Sequence, residues 1–122
     1  MSMVLVVEDS IPQRTMITEL LKGNGLTVAA ANDGVEALEQ IQAGQQPDLV
    51  VLDIVMPRMN GYEVCRRLKS NPAMQNVPVI LCSSKGEDFD RYWGMKQGAD
   101  AYIAKPFQPT ELLGTVKQLL RA

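Results

Sequence analysis

Residues 49–61, LVVLDIVMPRMNG, join an uninterrupted apolar run to an acidic residue and then to a turn. A run as short and as apolar as Leu49 to Leu52 is typical of a strand that is buried on both faces of a parallel sheet. Asp53 follows this run directly, and Asn60-Gly61 marks the start of a helix further on. The segment therefore predicts a buried strand with a carboxylate at its end, connected by a loop to a helix.

Short apolar runs and helix-period segments alternate along the rest of the chain, with Gly, Pro, Asn or Asp residues between them. This alternation is typical of an α/β fold with a parallel sheet. We expect a single domain over residues 1–122, because no linker, repeat or low-complexity segment interrupts the pattern. The predicted strands are Met3 to Val7, Leu26 to Ala30, Leu49 to Leu52, Val79 to Cys82 and Ala101 to Ala104.

Residue patterns predict the ends of three helices. Ser10 is expected to cap the first helix, and Gln13 to complete a capping box with it. The fourth helix is expected to run from near Gly86 to Gly98, since glycine commonly ends a helix. The fifth helix is expected to begin after Pro109.

Trp93 is the single tryptophan of the chain and falls in the fourth predicted helix. Tyr92, Met95 and Ala99 share a spacing that we expect to face the core, which leaves Trp93 on the flank of the helix. Two interpretations of Trp93 stay open at this point. It covers neighbouring aliphatic surface, or it contacts a partner protein, because tryptophan is enriched at binding hot spots.

Charge and composition exclude several classes of protein. The chain has 12 basic and 14 acidic residues and a net charge of -2, so it lacks the basic field with which proteins hold nucleic acid or anionic lipid. It has no histidine, and its two cysteines have no metal-binding or redox spacing. No apolar run approaches the roughly 18 residues of a membrane span. We expect a cytoplasmic protein that binds neither nucleic acid nor membrane.

Polar side chains follow four of the five predicted strands. In an open α/β sheet, ligands bind beyond the carboxyl ends of the strands, so these side chains are expected at one edge. Each of them alone is an ordinary turn residue, but a turn role does not explain why so many end separate apolar strands. The residues are Glu8-Asp9 after the first strand, Asp53 after the third, Ser83-Ser84 after the fourth and Lys105 after the fifth.

Three carboxylates at one edge repel one another, and a single lysine does not neutralise them. Magnesium prefers oxygen ligands and keeps several waters, so we expect Mg²⁺ with Asp9 and Asp53 as direct ligands and Glu8 bound through water. Asp53 is then the candidate nucleophile toward phosphorus. Lys105 would neutralise the transferring phosphoryl group, and Ser83 would donate a hydrogen bond to its oxygens.

The motifs at these strand ends resemble those of the receiver domains of two-component response regulators, and the likeness covers essentially the whole chain. The resemblance implies the flavodoxin-like strand order 2-1-3-4-5 and phosphotransfer from a histidine kinase to Asp53. Such a protein is a regulatory phosphoacceptor rather than an enzyme acting on other substrates. The residues that carry the resemblance are Glu8-Asp9-Ser10, Asp53-Ile54-Val55-Met56-Pro57 with Asn60-Gly61, Ser83 and Lys105-Pro106-Phe107.

The resemblance also implies a switch and an output surface. A cis peptide before Pro106 would aim Lys105 at the phosphate, and Tyr102 would rotate inward when Ser83 moves toward the phosphoryl group. The fourth helix, fifth strand and fifth helix would contact a downstream protein whose identity the sequence does not reveal. The chain length implies the chemotaxis-type stand-alone class without an output domain, as a monomer or weak dimer. Residues 92–99 are similar to the fourth helix of single-domain regulators in twitching-motility and phototaxis pathways.

Two positions depart from the commonest pattern of the family. The residue two places after Asp53 is Val55, whose carbonyl still suits a metal but whose side chain cannot orient a water molecule. The residue two places after Ser83 is Lys85. We therefore expect the aspartyl phosphate to hydrolyse slowly.

Three other functions share parts of this pattern. A flavin or nucleotide enzyme of this fold needs a phosphate-binding loop after the first strand, but the acidic residues there repel phosphate unless a metal is present. A phosphatase with an aspartate nucleophile needs a second acid where Val55 stands. A phosphorylation-independent adaptor, or a receiver that only drains phosphate from a shared kinase, remains the alternative function.

Overall fold

The computed structural model describes residues 2–121, in which strands and helices alternate. The strands form a parallel sheet in the order β2-β1-β3-β4-β5, which confirms the predicted flavodoxin-like α/β fold. In the described part of the chain no helix is both long and apolar enough to span a membrane. The elements are β1 Met3–Val7, α1 Ile11–Lys22, β2 Thr27–Ala31, α2 Gly34–Gln42, β3 Leu49–Asp53, α3 Gly61–Ser70, β4 Val79–Ser83, α4 Asp88–Lys96, β5 Ala101–Ala104 and α5 Pro109–Arg121.

The predicted bounds of β1 and β5 are confirmed, and the other predicted boundaries differ from the observed ones by at most two residues. β2 begins one residue late, because the Leu26 N–H still bonds to Leu21 in the turn that leaves α1. α5 begins at Pro109 itself, whose missing N–H costs nothing in a first helical turn. α4 is shorter than expected at both ends, and Gly98 lies beyond it with a φ of 101°.

The sheet is buried on both faces, as the apolar runs predicted. All five residues of β3 and of β4 are buried, and their side chains alternate between two cores. Leu52 and Leu81 face the core that α2 and α3 cover, whereas Val51 and Ile80 face the core that α1 and α5 cover. Burying both faces fixes the register of the strands, so the residues at their carboxyl ends are placed firmly.

The predicted core face of α4 is wrong in two of its three residues. Tyr92 is 60% exposed and Met95 is 47% exposed, although Ala99 is buried. The buried residue of the helix is Gly94, where an added Cβ would lie 2.9 Å from side-chain atoms of both Leu81 and Tyr102. α4 therefore rests on the sheet through a glycine, and its large apolar side chains point outward.

The loop after β3 returns closely to the strand it leaves. Asn60 caps α3 by accepting the Glu63 N–H at 3.0 Å, and the Gly61 N–H donates to the Ile54 carbonyl at 2.8 Å. A Cβ on Gly61 would lie 2.2 Å from the Asp53 carbonyl oxygen, which is backbone and cannot swing aside. Glycine at position 61 therefore lets α3 begin directly against the residue that ends β3.

Replacing Gly61 with alanine is expected to lower the free energy of unfolding by about 1–3 kcal/mol, because the backbone must shift to relieve the clash. The matched control is Gly114→Ala in α5, where an added Cβ meets nothing within 4 Å. In a helix, alanine is more favourable than glycine by about 1 kcal/mol, so this control is expected to be neutral or stabilising. Urea unfolding of both variants measures the difference, and equal effects would contradict the close approach.

Candidate functional site

The carboxyl ends of β1, β3 and β5 bring four charged side chains together. Glu8, Asp9 and Asp53 each offer a carboxylate oxygen within 4.8 Å of the other two. Lys105 reaches the same group from the end of β5, where its peptide bond to Pro106 is cis. Glu8 and Asp53 are 2% and 8% exposed, whereas Asp9 is open to solvent.

Lys105 is held more closely by Glu8 than by Asp53. Its Nζ donates to Glu8 Oε1 at 2.5 Å and lies 3.5 Å from Asp53 Oδ1, and it also donates to the Gln13 amide oxygen. Burial by itself would lower the pKa of the Lys105 ammonium. Hydrogen bonding to Glu8 and the negative charges of Asp53 and Glu8 outweigh that effect and raise its pKa. The lysine is therefore a fixed positive charge in the cluster.

The Asp53 carboxylate lacks full charge compensation. Burial, followed by the charge of Glu8, raises the pKa of Asp53 from 3.8 to about 6, although the Lys105 charge opposes the shift. Lys105 is shared with Glu8 and does not neutralise both carboxylates. The electrostatics of the site therefore favour a further cation next to Asp53.

A cavity of about 410 Å³ opens between these residues. Its lining combines the acidic residues and Lys105 with the apolar side chains of Met16, Pro106 and Phe107. A cavity of this volume is large enough for a phosphoryl group together with a hydrated metal ion. The lining residues are Glu8, Asp9, Ser10, Gln13, Met16, Asp53, Val55, Ser84, Lys105, Pro106 and Phe107.

The predicted capping box at the start of α1 is wrong in its second half. Ser10 does accept the Gln13 N–H, at 3.4 Å, and so caps the helix. The Gln13 side chain, however, binds Lys105 rather than returning to Ser10, whose N–H donates to Glu8 Oε2 at 3.2 Å. The Gln13 side chain and the Ser10 N–H thus bond to the charged cluster and not to each other. The only signal in the sequence for the contact between Gln13 and Lys105 was the position of Gln13, because the first turn of α1 follows Asp9 at the edge of the sheet.

Ser83 and Ser84 have different surroundings. Ser83 is fully buried, its hydroxyl oxygen accepts the Lys85 N–H at 3.2 Å, and its carbonyl accepts the Lys105 N–H at 2.8 Å. Ser84 lines the cavity, although sequence reasoning had assigned a role to Ser83 alone. Ser83 is the last residue of β4, whereas Ser84 lies beyond the strand and is exposed, which explains the difference.

Tyr102 lies in the interior, next to the end of β4. It is 9% exposed, and its hydroxyl donates to the Lys85 carbonyl. The Arg91 guanidinium lies 5.5 Å from the centre of the Tyr102 ring and donates to the Tyr102 carbonyl at 3.3 Å. Trp93 is 44% exposed on α4 and does not line the cavity. The structure therefore connects Tyr102, but not Trp93, to the segment that follows Ser83.

Comparisons with known proteins agree with this geometry. Residues 4–117 match the response regulator receiver domain family. Protein PilG of Pseudomonas aeruginosa is 43% identical over 114 residues, which are 93% of this chain and 84% of PilG. The chain spans about half the length of other curated relatives that it matches over 118 residues, 48% of one and 50% of another.

Solved structures share the whole fold. Chemotaxis protein CheY4 of Vibrio cholerae is 31% identical with a TM-score of 0.91, and the match covers 98% of both chains. The receiver domain of the sensor histidine kinase PA1611 from Pseudomonas aeruginosa is 26% identical with a TM-score of 0.91, covering 99% of this chain and 98% of the other. That receiver has a magnesium ion coordinated in its active site cleft. Sequence and fold together show that this chain belongs to the family of response regulator receiver domains.

Proposed function

We propose that residues 1–122 act as one receiver unit in which Asp53 accepts a phosphoryl group from a histidine kinase in a Mg²⁺-dependent reaction. The observation that carries the proposal is the position of Asp53 in an acidic cavity, 3.5 Å from the Lys105 ammonium. A solvated turn carboxylate needs neither burial nor a lysine from a distant strand. A nucleophile toward phosphate needs both, because charge on the reacting group has to be neutralised.

The residues present fit a magnesium ion. Three carboxylates with oxygens within 4.8 Å of one another form a hard oxygen donor set, and Asp53 lacks full charge compensation. Asp9 and Asp53 would be direct ligands, the Val55 carbonyl would be a third, and Glu8 would bind through water. When bound, the ion would supply positive charge to the phosphate oxygens and so reduce their repulsion of Asp53.

The chain's own residues would carry the transfer. An Asp53 carboxylate oxygen forms the new P–O bond while the P–N bond of the donor phosphohistidine breaks, and the electron pair of that bond stays on the imidazole nitrogen. Lys105 would balance charge on the phosphoryl oxygens, and Glu8 keeps its ammonium in place beside Asp53. The Ser83 hydroxyl accepts the Lys85 N–H, and its own hydrogen would be donated to a phosphoryl oxygen.

Output would pass through the surface of α4, β5 and α5. Movement of Ser83 toward the phosphoryl group alters the Lys85 segment to which the Tyr102 hydroxyl is bonded. Tyr102 in turn packs under Gly94 of α4, so its rearrangement would shift that helix. Trp93 is exposed on α4 and would contact the downstream protein. The likeness to a chemotaxis protein favours a taxis or motility pathway.

The alternative is an adaptor that keeps the fold without phosphorylation, or a receiver that only drains phosphate from a kinase. No observation at the site favours the adaptor, because an adaptor that is never phosphorylated has no need of the Asp53 carboxyl group beside Lys105. A phosphate sink uses the same chemistry and differs only in lacking a partner at the α4 surface. Phosphorylation and the response of α4 therefore have to be measured separately.

Incubation with Mg²⁺ and phosphoramidate is expected to add one phosphoryl group to the chain, observed as a shift in intact mass that hydroxylamine reverses. The shift should disappear with EDTA and in Asp53→Asn, which removes the nucleophile. The control is Asp48→Asn, a carboxylate at the opposite end of β3 that leaves the cavity unchanged. Absence of an adduct on the unmodified sequence would favour the adaptor.

The same samples report on the output surface, because Trp93 is the single tryptophan. Its fluorescence is expected to change when Asp53 is phosphorylated and to stay constant in Asp53→Asn. A phosphorylated chain with unchanged fluorescence would count against coupling to α4.

Replacing Val55 with asparagine is expected to shorten the lifetime of the aspartyl phosphate by about tenfold, or about 1.4 kcal/mol of barrier. Val55 is 56% exposed and lines the cavity, so an amide at this position reaches the attacking water without disturbing the core. Val55→Leu is the apolar control. The decay of the phosphorylated mass after donor removal measures the lifetime, and equal decay in all three proteins would refute the slow-hydrolysis hypothesis.

Without divalent cations, Asp53→Asn is expected to stabilise the fold near pH 7.5. The pKa of Asp53 is raised from 3.8 to about 6, so ionisation of Asp53 destabilises the folded chain. This loss of stability is absent below about pH 4 and complete above about pH 6. The variant should gain up to about 3 kcal/mol at pH 7.5 and nothing at pH 3.5. Thermal unfolding in EDTA measures this, with the exposed Glu39→Gln as control. A gain that does not depend on pH would exclude ionisation as its cause.

A further inference from the structure

Arg58 has an unusual backbone conformation next to the site. Among residues 2–121 it is the non-glycine residue with a positive φ, at 69°. Residues with a Cβ adopt this left-handed region at a cost, so surrounding contacts have to hold Arg58 there. It stands in the loop between Asp53 and α3, three residues after Val55.

The contacts that hold Arg58 come from another part of the chain. Its Nε donates to Asp33 Oδ2 at 3.0 Å, and its Nη2 donates to Asp33 Oδ1 at 2.9 Å. This two-pronged pair is the arrangement in which arginine and a carboxylate bind most strongly. Asp33 is 8% exposed and also caps α2 by accepting the Glu36 N–H at 2.9 Å. The carboxylate is thus rigid, and it ties the loop to the start of α2.

In the rest of the loop between Asp53 and α3, Ile54 is buried and Met56 packs against the same core. The Gly61 N–H holds its far end to Ile54, and Met59 lies against Gly34 at the start of α2. Val55, whose carbonyl the proposed function assigns to the metal, is 56% exposed between these neighbours. The position of that carbonyl then depends on how firmly residues 56–59 are held.

We propose that the Arg58–Asp33 ion pair is a positioning device for the metal site, which holds the loop so that the Val55 carbonyl stays turned toward the cavity. Neither Arg58 nor Asp33 lines the cavity, so the pair acts through the backbone and not by touching the metal. The inference rests on the proposed magnesium site. It adds that affinity for Mg²⁺ is set partly by an ion pair outside that site.

Replacing Arg58 tests the proposal, with the Mg²⁺ dissociation constant measured by isothermal titration calorimetry. Arg58→Gln is expected to weaken binding by about three- to tenfold, less than the roughly 10–100-fold typical of groups bonded directly to a metal ligand. The matched control is Arg67→Gln on α3, because Arg67 is also 56% exposed and pairs with Glu63 at 2.7 Å. The control should bind Mg²⁺ as the unmodified chain does.

Two further variants separate the ion pair from the backbone conformation. Arg58→Gly makes the left-handed conformation easy but removes the pair, so it is expected to weaken Mg²⁺ binding as much as Arg58→Gln. Arg58→Lys keeps the charge but not the two-pronged geometry, and it should restore part of the affinity at most. Unchanged affinity in Arg58→Gly, or in Arg58→Gln, would overturn the proposal.

A second readout does not involve the metal. Hydrogen exchange of amides in residues 55–59, measured in EDTA, is expected to quicken in Arg58→Gln and in Asp33→Asn. The double variant should exchange no faster than either single one, because both remove the same pair. Unchanged exchange would likewise overturn the proposal. If the unmodified chain binds no Mg²⁺, the proposed function fails. If the unmodified chain binds Mg²⁺ and Arg58→Gln binds it equally well, only the positioning role of the ion pair is refuted.

Discussion

The structure depends on one electrostatic constraint, which is that Glu8, Asp9 and Asp53 share the carboxyl edge of the sheet with the single ammonium of Lys105. Ionised carboxylates this close repel one another, and burial of Glu8 and Asp53 prevents water from screening them fully. The cost of this arrangement is visible in the raised pKa of Asp53. The same imbalance of charge favours a further cation in the cluster.

The rest of the fold keeps that constraint in place. β3 and β4 are buried on both faces, so Asp53 cannot move away from the cluster by sliding in register. Gly61 allows α3 to begin against the Asp53 carbonyl, and the Arg58–Asp33 pair fastens the loop between them to α2. The ends of rigid strands therefore carry the charged side chains, while a short fastened loop carries Val55, which lines the same cavity.

The sheet and the acidic edge were predictable because both follow from short-range patterns. Apolar runs mark buried strands, and parallel strands end at one edge, so Glu8, Asp53 and Lys105 were placed near one another without knowledge of their contacts. The face of α4 was not predictable in this way, because periodicity assumes that large apolar residues point inward and here Gly94 does. The partners of Gln13 and Arg58 were missed because Lys105 and Asp33 are distant in sequence, and no local pattern specifies such pairs.

That exception on α4 has a physical consequence for signalling. Because α4 buries a glycine and not a large side chain, its backbone lies directly on Leu81 and Tyr102, and any change in the Tyr102 ring meets the helix at once. Its outward aromatic residues, Phe89 at 71% and Tyr92 at 60% exposure, together with Trp93, form an apolar surface of the kind that marks interaction sites. With glycine inward and aromatic residues outward, α4 thus leaves large apolar side chains accessible to solvent. In the proposed output, a change in Tyr102 would reach this exposed surface through Gly94, beneath which the Tyr102 ring lies.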